Sequence, residues 1–212
     1  MGTLKTRCVI IGGGDCSADF LKEYINLDND YIICADSGYD YAASADITPD
    51  LLIGDFDSIS AMPKNLNTIT LPVEKDVTDS VAAYNEGIKL GFKSFVIFGG
   101  TGGRFEHTFA NISLMANASK SNIRFEIIDE KHKFRSITDS SIKINYKKNQ
   151  QISVFAYGGR AFGVTLKGFH YPLWDYTLDP FDCALGTSNN IIEDFGEISV
   201  INGTLIIVET QI

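Results

Sequence analysis

The sequence predicts an amino-terminal α/β domain built on a parallel sheet, followed by a smaller all-β, sandwich-like domain. Up to residue 128, short unbroken apolar runs alternate with helical stretches, the pattern of βαβ units whose strands are covered on both faces. Beyond residue 129 the apolar runs alternate with turn residues instead, and no long helical pattern occurs. With 44% hydrophobic and 21% charged residues, the 212-residue chain has the balance of a globular protein with sizeable cores. The expected domains are therefore 1–128 and 129–212.

Taken in order, Cys8 to Ile11 reads as the first strand, and Gly12-Gly13-Gly14 turns the chain into a helix over Ala18 to Asn26. That glycine run serves equally as a tight turn and as a place where backbone approaches a nucleotide. Tyr31 to Cys34 is the second strand; it runs into Ala35-Asp36-Ser37-Gly38 and a helix over Tyr39 to Ala45. Leu51 to Ile53 is a third, ending in Gly54-Asp55-Phe56-Asp57-Ser58. Glu74-Lys75-Asp76-Val77-Thr78-Asp79 leads into a helix over Asp79 to Leu90, with Thr78 as its N-cap. Phe95 to Phe98 leads into Gly99-Gly100-Thr101-Gly102-Gly103-Arg104-Phe105-Glu106-His107 and a helix over Glu106 to Ala118, and Phe125 to Ile128 closes the series. In the second half, Lys143 to Tyr146, Gln151 to Tyr157, Gly163 to Lys167, Glu197 to Ile201 and Thr204 to Glu209 read as strands. Asn202-Gly203 between the last two is the signature of a hairpin turn.

The formal charge of -9 disfavours nucleic acid and anionic membranes as partners, so a polyanionic substrate needs a metal ion as intermediary. No run approaches the roughly 18 apolar residues of a membrane span, and the amino terminus has no apolar signal region, so the expected address is the cytoplasm. The four cysteines, Cys8, Cys16, Cys34 and Cys183, form no close pair and read as buried thiols.

In an open α/β sheet ligands bind beyond the carboxyl ends of the strands, which is where the polar residues of interest fall. In extended chain Asp55 and Asp57 point to the same side, close enough to share a hard cation, and Asp36, after the preceding strand, is placed to reach the same ion. Asp79 and Lys75, at the start of a helix, suit a metal and a phosphate. The glycine run before Arg104 forms a plausible phosphate cradle, with the guanidinium as a donor fork; it lacks the Walker A pattern. Each feature also has a plain structural explanation, Asp in solvated loops and Thr or Asp at helix starts. Sugar-nucleotide transferases with an Asp-x-Asp metal site, phosphatases with a nucleophilic Asp, and a non-catalytic sensor remain alternatives.

Taken together and in order, these motifs resemble the thiamine pyrophosphokinase family. The likeness continues at Gly186-Thr187-Ser188-Asn189, similar to the family's thiamine-binding segment, and at the segment around Gly203. The chain departs from the family pattern at Ser37, where a glycine is usual, and at Glu106, where an aspartate is usual. The resemblance implies a homodimer that uses magnesium and ATP to pyrophosphorylate thiamine, with thiamine near the subunit interface. Asp36, Asp55, Asp57 and Asp79 are then expected at the metal, and Lys75, Thr78, Arg104 and His107 around the phosphates. Asp79 or Glu106, with His107 as the alternative, is expected to take the hydroxyl proton, and Ser188 and Asn189 to meet thiamine. Trp174, among Tyr171, Pro172 and Leu173, reads as packing, with stacking on thiamine as the alternative.

Overall fold

Apolar runs too continuous for a half-exposed sheet become the central strands of a parallel one. The computed structural model describes residues 5–57, 59–60, 66–72, 77–182 and 185–212. It divides into one unit of Met1–Leu114 with Ile127–Glu130 and a second of Met115–Glu126 with Lys131–Ile212.

Up to Glu130 the strands are β1 (Arg7–Ile11), β2 (Asp30–Ala35), β3 (Leu51–Gly54), β4 (Thr68–Thr70), β5 (Ser94–Phe98) and β6 (Arg124–Ile128), and of β6 only Ile127 and Ile128 fall in the first unit. The helices are α1 (Ala18–Tyr24), α2 (Gly38–Ser44), α3 (Asp79–Lys89) and α4 (Phe105–Ser119), the last passing into the second unit at Met115. The strand order is β4-β3-β2-β1-β5-β6, and β1 pairs in parallel with both β2 and β5. The chain thus builds outward from β1 to β4 on one side and then returns to the other side of β1. That reversal opens a crevice between the carboxyl ends of β1 and β5. Val9, Ile11, Ile32, Cys34, Leu52, Val96 and Phe98 share one core with Leu21 of α1 and Ala42 of α2. β4 was not expected: three residues, only the middle one half-buried, carry no readable alternation. Thr78 caps α3 as expected, its Oγ1 accepting the Val81 N–H at 3.3 Å.

The second unit contains β7 (His132–Thr138), β8 (Ser141–Asn145), β9 (Gln150–Lys167), β10 (Leu173–Leu178), β11 (Phe195–Ser199) and β12 (Asn202–Gln211). Antiparallel pairing joins β7 to β12 and β12 to the first part of β9. The last part of β9 pairs instead with β10 and β11, and β11 pairs with β8. One 18-residue strand therefore replaces the two expected over Gln151 to Tyr157 and Gly163 to Lys167. Gly158 and Gly163, at φ 75° and 67°, mark where it bends between partners rather than where it ends. Side chains from both pairings, including Ile137, Ile152, Val154, Leu166, Ile198, Leu205 and Ile207, form a single core.

The hairpin expected at Asn202-Gly203 does not form. β11 and β12 have no mutual register; Asn202 faces Phe162 of β9, and the Gly203 N–H donates to Asp139 Oδ1 at 2.7 Å. Gly203, at φ 122°, is needed instead for close approach, because a Cβ there would lie 2.9 Å from Ala161 Cα.

Cys8 and Cys34 are buried free thiols, and burial pushes the Cys8 thiol up to about 12. Cys16 is only half-buried, contrary to expectation, and Cys183 lies outside the described residues. Among the described residues no helix is long and apolar enough to cross a membrane.

Candidate active site

The carboxyl ends of β1 and β5 are joined by their two glycine loops. Gly12 N–H donates to Phe98 O at 2.8 Å, Gly14 N–H to Gly99 O at 2.9 Å, and Asp15 N–H to Thr101 O at 3.0 Å. A Cβ on Gly14 would sit 2.2 Å from the Thr101 carbonyl oxygen, so backbone contact between the loops demands glycine there. Gly13 and Gly14 also face the crevice, so this run both turns the chain and lines a site.

The crevice holds a cavity of about 230 Å³. This is below the roughly 300–1,000 Å³ of pockets that enclose a whole drug-sized ligand, and suits a chain of phosphates better than an entire nucleotide. Its walls are the glycines of both loops, Asp36 and Ser37 after β2, Thr78 and Asp79 at the start of α3, and Arg104 and His107 at the start of α4. Two helix N-termini and several glycine amides therefore converge where an anion would sit.

Asp36, Asp55 and Asp57 form a carboxylate triad whose ligand oxygens all lie within 4.8 Å of one another. The backbone builds it in two places. Asp36 adopts a left-handed conformation, φ 49°, while its N–H donates to Ile53 O at 2.8 Å. Gly54 lets it come close, since a Cβ there would meet the Asp36 side chain at 3.1 Å. Asp55 and Asp57 are not in extended chain: Phe56 between them is left-handed, φ 66°, and the Asp57 N–H donates to Asp55 Oδ1 at 3.3 Å. A turn, not strand alternation, brings the pair together.

The triad's donors suit magnesium: all are hard carboxylate oxygens, and oxygens on one such ion at about 2.1 Å lie no more than about 4.2 Å apart, so small adjustments close the set. Asp79 is not one of these three; it lines the cavity alongside Asp36.

Arg104 stands at the cavity wall with its Nε donating to Glu106 Oε1 at 2.6 Å. The Glu106 carboxyl is held below its ordinary value by its own backbone N–H and then by the Arg104 hydrogen bond. Its Oε1 is taken up by the Arg104 guanidinium, so Glu106 is better suited to bracing that group than to taking a proton. Lys75 lies outside the described residues.

Asn111 lines the cavity and is one residue the sequence reading missed. It is buried, with Nδ2 donating to Gly100 O at 2.9 Å, which fixes a glycine of the cradle. The available signal was its spacing from Arg104 and His107, which puts all three along one helical stripe.

In the second unit, Ser188 is exposed in a left-handed conformation, φ 54°, its N–H donating to Ser153 Oγ at 3.1 Å. Asn189 is buried, and its amide serves backbone. Oδ1 accepts from Tyr171 N–H at 3.0 Å and Asn190 N–H at 2.9 Å, and Nδ2 donates to Tyr171 O at 2.7 Å. Asn189 therefore anchors the segment ahead of β10. Trp174 in β10 is 65% exposed, so the packing explanation fails for it.

Residues 22–127 match the family described as thiamin pyrophosphokinase, catalytic domain, and residues 139–205 match thiamin pyrophosphokinase, vitamin B1 binding domain. A thiamine pyrophosphokinase of Bacillus subtilis is 28% identical over 214 residues, covering 98% of this chain and 99% of that protein. A crystal structure of the thiamine pyrophosphokinase from that organism superposes with a TM-score of 0.88 at 26% identity, over 98% of this chain and 100% of the other. A Geobacillus thermodenitrificans thiamin pyrophosphokinase gives 0.85 at 25% identity, over 98% of each chain. The Candida albicans enzyme, 15% identical, shares the fold at a TM-score of 0.77, over 98% of this chain and 90% of that one.

Proposed function

This chain belongs to the thiamin pyrophosphokinase family and transfers pyrophosphate from ATP to the hydroxyl of thiamine, and we propose that it does so at the crevice between β1 and β5 with magnesium held by Asp36, Asp55 and Asp57. The observation that carries this reading is the triad beside a glycine-lined, phosphate-sized cavity. Three carboxylates so close repel one another, each pair by roughly 4 kcal/mol at 4 Å and an effective dielectric of 20, so the cluster favours a bound cation. Magnesium there would neutralise phosphate charge and make the β-phosphorus a better electrophile.

The chain's own groups do the rest. Glycine amides and the starts of α3 and α4 hold phosphate oxygens, joined by Arg104 and, from outside the described residues, Lys75. Thr78 fixes the α3 terminus that carries Asp79, and His107 completes the wall. The thiamine hydroxyl attacks in line as AMP departs, a loose transfer that needs little base assistance. Asp79 lines the cavity and Glu106 does not, so Asp79 is the better placed to accept the proton.

In this reading residues 1–128 are the nucleotide and metal domain, and 129–212 contributes to the thiamine site. Ser188 and the exposed Trp174 offer a hydroxyl and an aromatic face to thiamine, with Asn189 holding their segment in place. The working form is a cytoplasmic homodimer, a reading supported by exposed aromatics on the second unit, among them Phe181 at 89% and Tyr171 at 64%.

The test is AMP release from ATP with thiamine and magnesium each withheld in turn. Release that requires both is expected; release without thiamine would point to a hydrolase, and release in the presence of chelator would remove the metal assignment.

A further inference from the structure

Among the described residues, one hydroxyl at the cavity wall, that of Ser37, makes no hydrogen bond that holds the fold. Ser37 lies between Asp36 of the triad and Gly38, whose missing Cβ would fall 2.0 Å from the Ile11 carbonyl oxygen. Its backbone is therefore clamped against the end of β1. Although it precedes α2, its hydroxyl makes no capping bond to that helix. The hydroxyl lies over Gly13, where a Cβ would sit 2.2 Å from Ser37 Oγ. For Gly14 the obstruction is fixed backbone, whereas for Gly13 it is this hydroxyl, and Gly13 has no left-handed φ to require glycine. The middle glycine of the run is thus kept free for a side chain, not for a turn.

We infer that Ser37 is a nucleotide-binding residue: its hydroxyl donates to a phosphate oxygen in the cavity, and Gly13 is glycine to leave that hydroxyl its position. The inference rests on the cavity being the phosphate site. A hydroxyl on a rotatable Cβ yields to an intruding methyl, so Gly13→Ala turns Ser37 away rather than unfolding the loop. The two substitutions then remove the same contact by different routes.

The experiment is a double-mutant cycle on the full chain. Binding of magnesium-ATP is measured by calorimetry for wild type, Ser37→Ala, Gly13→Ala and the double variant, with AMP release assayed in parallel. Ser37→Ala should weaken ATP binding by roughly tenfold, as expected for a hydrogen bond to a charged group. Gly13→Ala should weaken it by a similar factor, and the double variant should be no worse than Ser37→Ala alone. Inorganic tripolyphosphate should show the same pattern, which assigns the contact to phosphate rather than to the nucleoside. Thermal unfolding checks that the variants fold, and Ser37→Gly serves as a second loss variant should Ser37→Ala be unstable. Unchanged affinity in Ser37→Ala, or losses that multiply in the double variant, would overturn the inference. If wild type binds ATP with the expected cycle but releases no thiamine-dependent AMP, the inference stands and the assigned activity falls. If wild type binds neither ATP nor tripolyphosphate, both fall.

Discussion

Phe56 has an aromatic side chain and a left-handed backbone, a combination that costs free energy and persists only where the surroundings impose it. What requires it is the turn that sets Asp55 and Asp57 beside Asp36, itself left-handed at φ 49°. Two left-handed residues thus lie at the one carboxylate cluster. Asp57→Asn removes a charge and almost no volume, so turnover should fall by roughly 100-fold or more while the melting temperature holds or rises slightly as repulsion is relieved. Near wild-type AMP release by this variant would defeat the metal assignment. Glu106 is a separate case. Its carboxyl lies below the ordinary 4.5, so the pair with Arg104 is present above that pH and is lost only as pH falls through the lowered value. Glu106→Gln should therefore raise the ATP KM by loosening Arg104, without moving the acidic limb of the kcat profile. A limb that shifts with Glu106→Gln would make it the base after all. At this scale the sequence was most readable for the aspartates and Arg104, which stand out by type and position and which the fold brings to the triad and the cavity wall. Asn111 and the task of Asn189 were not readable, because each acts through a backbone carbonyl brought near only by folding.

The loops that follow β1 and β5 act as one element. They are cross-linked by backbone hydrogen bonds, and their glycines divide by what surrounds them. Gly14→Ala drives a methyl against two carbonyl oxygens, of Thr101 at 2.2 Å and Gly99 at 2.6 Å, that cannot rotate away. Gly103, at φ 58°, has nothing within 4 Å of its missing Cβ. Gly103→Ala should cost only the left-handed penalty of about 1–2 kcal/mol. Gly14→Ala should cost more than that in denaturant unfolding and should also weaken ATP binding; equal effects of the two would mean the loops separate easily. In the second unit the buried Glu126 is the corresponding tie. Burial alone would push its carboxyl up, but Lys133, Arg135 and Arg124 more than reverse this, leaving it below the ordinary 4.5. Arg135 Nε is 2.9 Å from Glu126 Oε1 and its Nη1 is 3.1 Å from Glu209 Oε1. Because the folded-state value is depressed, this stabilisation is full above the unfolded value and fades as pH falls through the folded one. Glu126→Gln should destabilise the fold by about 3–5 kcal/mol at neutral pH, and the gap from wild type should narrow below about pH 4. A gap independent of pH would indicate lost packing instead. Elements covered on both faces, β1, β2, β3 and β5, were legible because burial on two sides writes an unbroken apolar run. β10 was not, since its LWDYTL sequence is largely exposed, and β9 was read as two strands because its glycines look like an ending. The false hairpin at Asn202-Gly203 has the same origin: local turn preference gave way to pairing with residues far off in sequence.

For the whole molecule, among the described residues the triad and cavity draw on positions up to Asn111, whereas Ser188 and Trp174 belong to the second unit. If thiamine is taken between subunits of a homodimer, the two groups that serve one reaction come from different chains. A chain lacking its metal site and a chain lacking its thiamine segment would then be complementary, not merely both defective. Asp57→Asn should abolish turnover by itself, and Ser188→Tyr should chiefly raise the thiamine KM, to the point of inactivity at low thiamine. In a two-fold dimer each site pairs one chain's triad with the other chain's segment, so a mixed dimer carries one site with both defects and one with neither. Random pairing in an equal coexpression makes half of the dimers mixed, so about a quarter of wild-type activity should return. Light scattering on the same sample should show dimers throughout. Coexpressed variants that remain as inactive as either alone, in a sample shown to be dimeric, would mean that each chain builds its own thiamine site. A monomer in light scattering that nevertheless turns over thiamine would remove the shared site altogether.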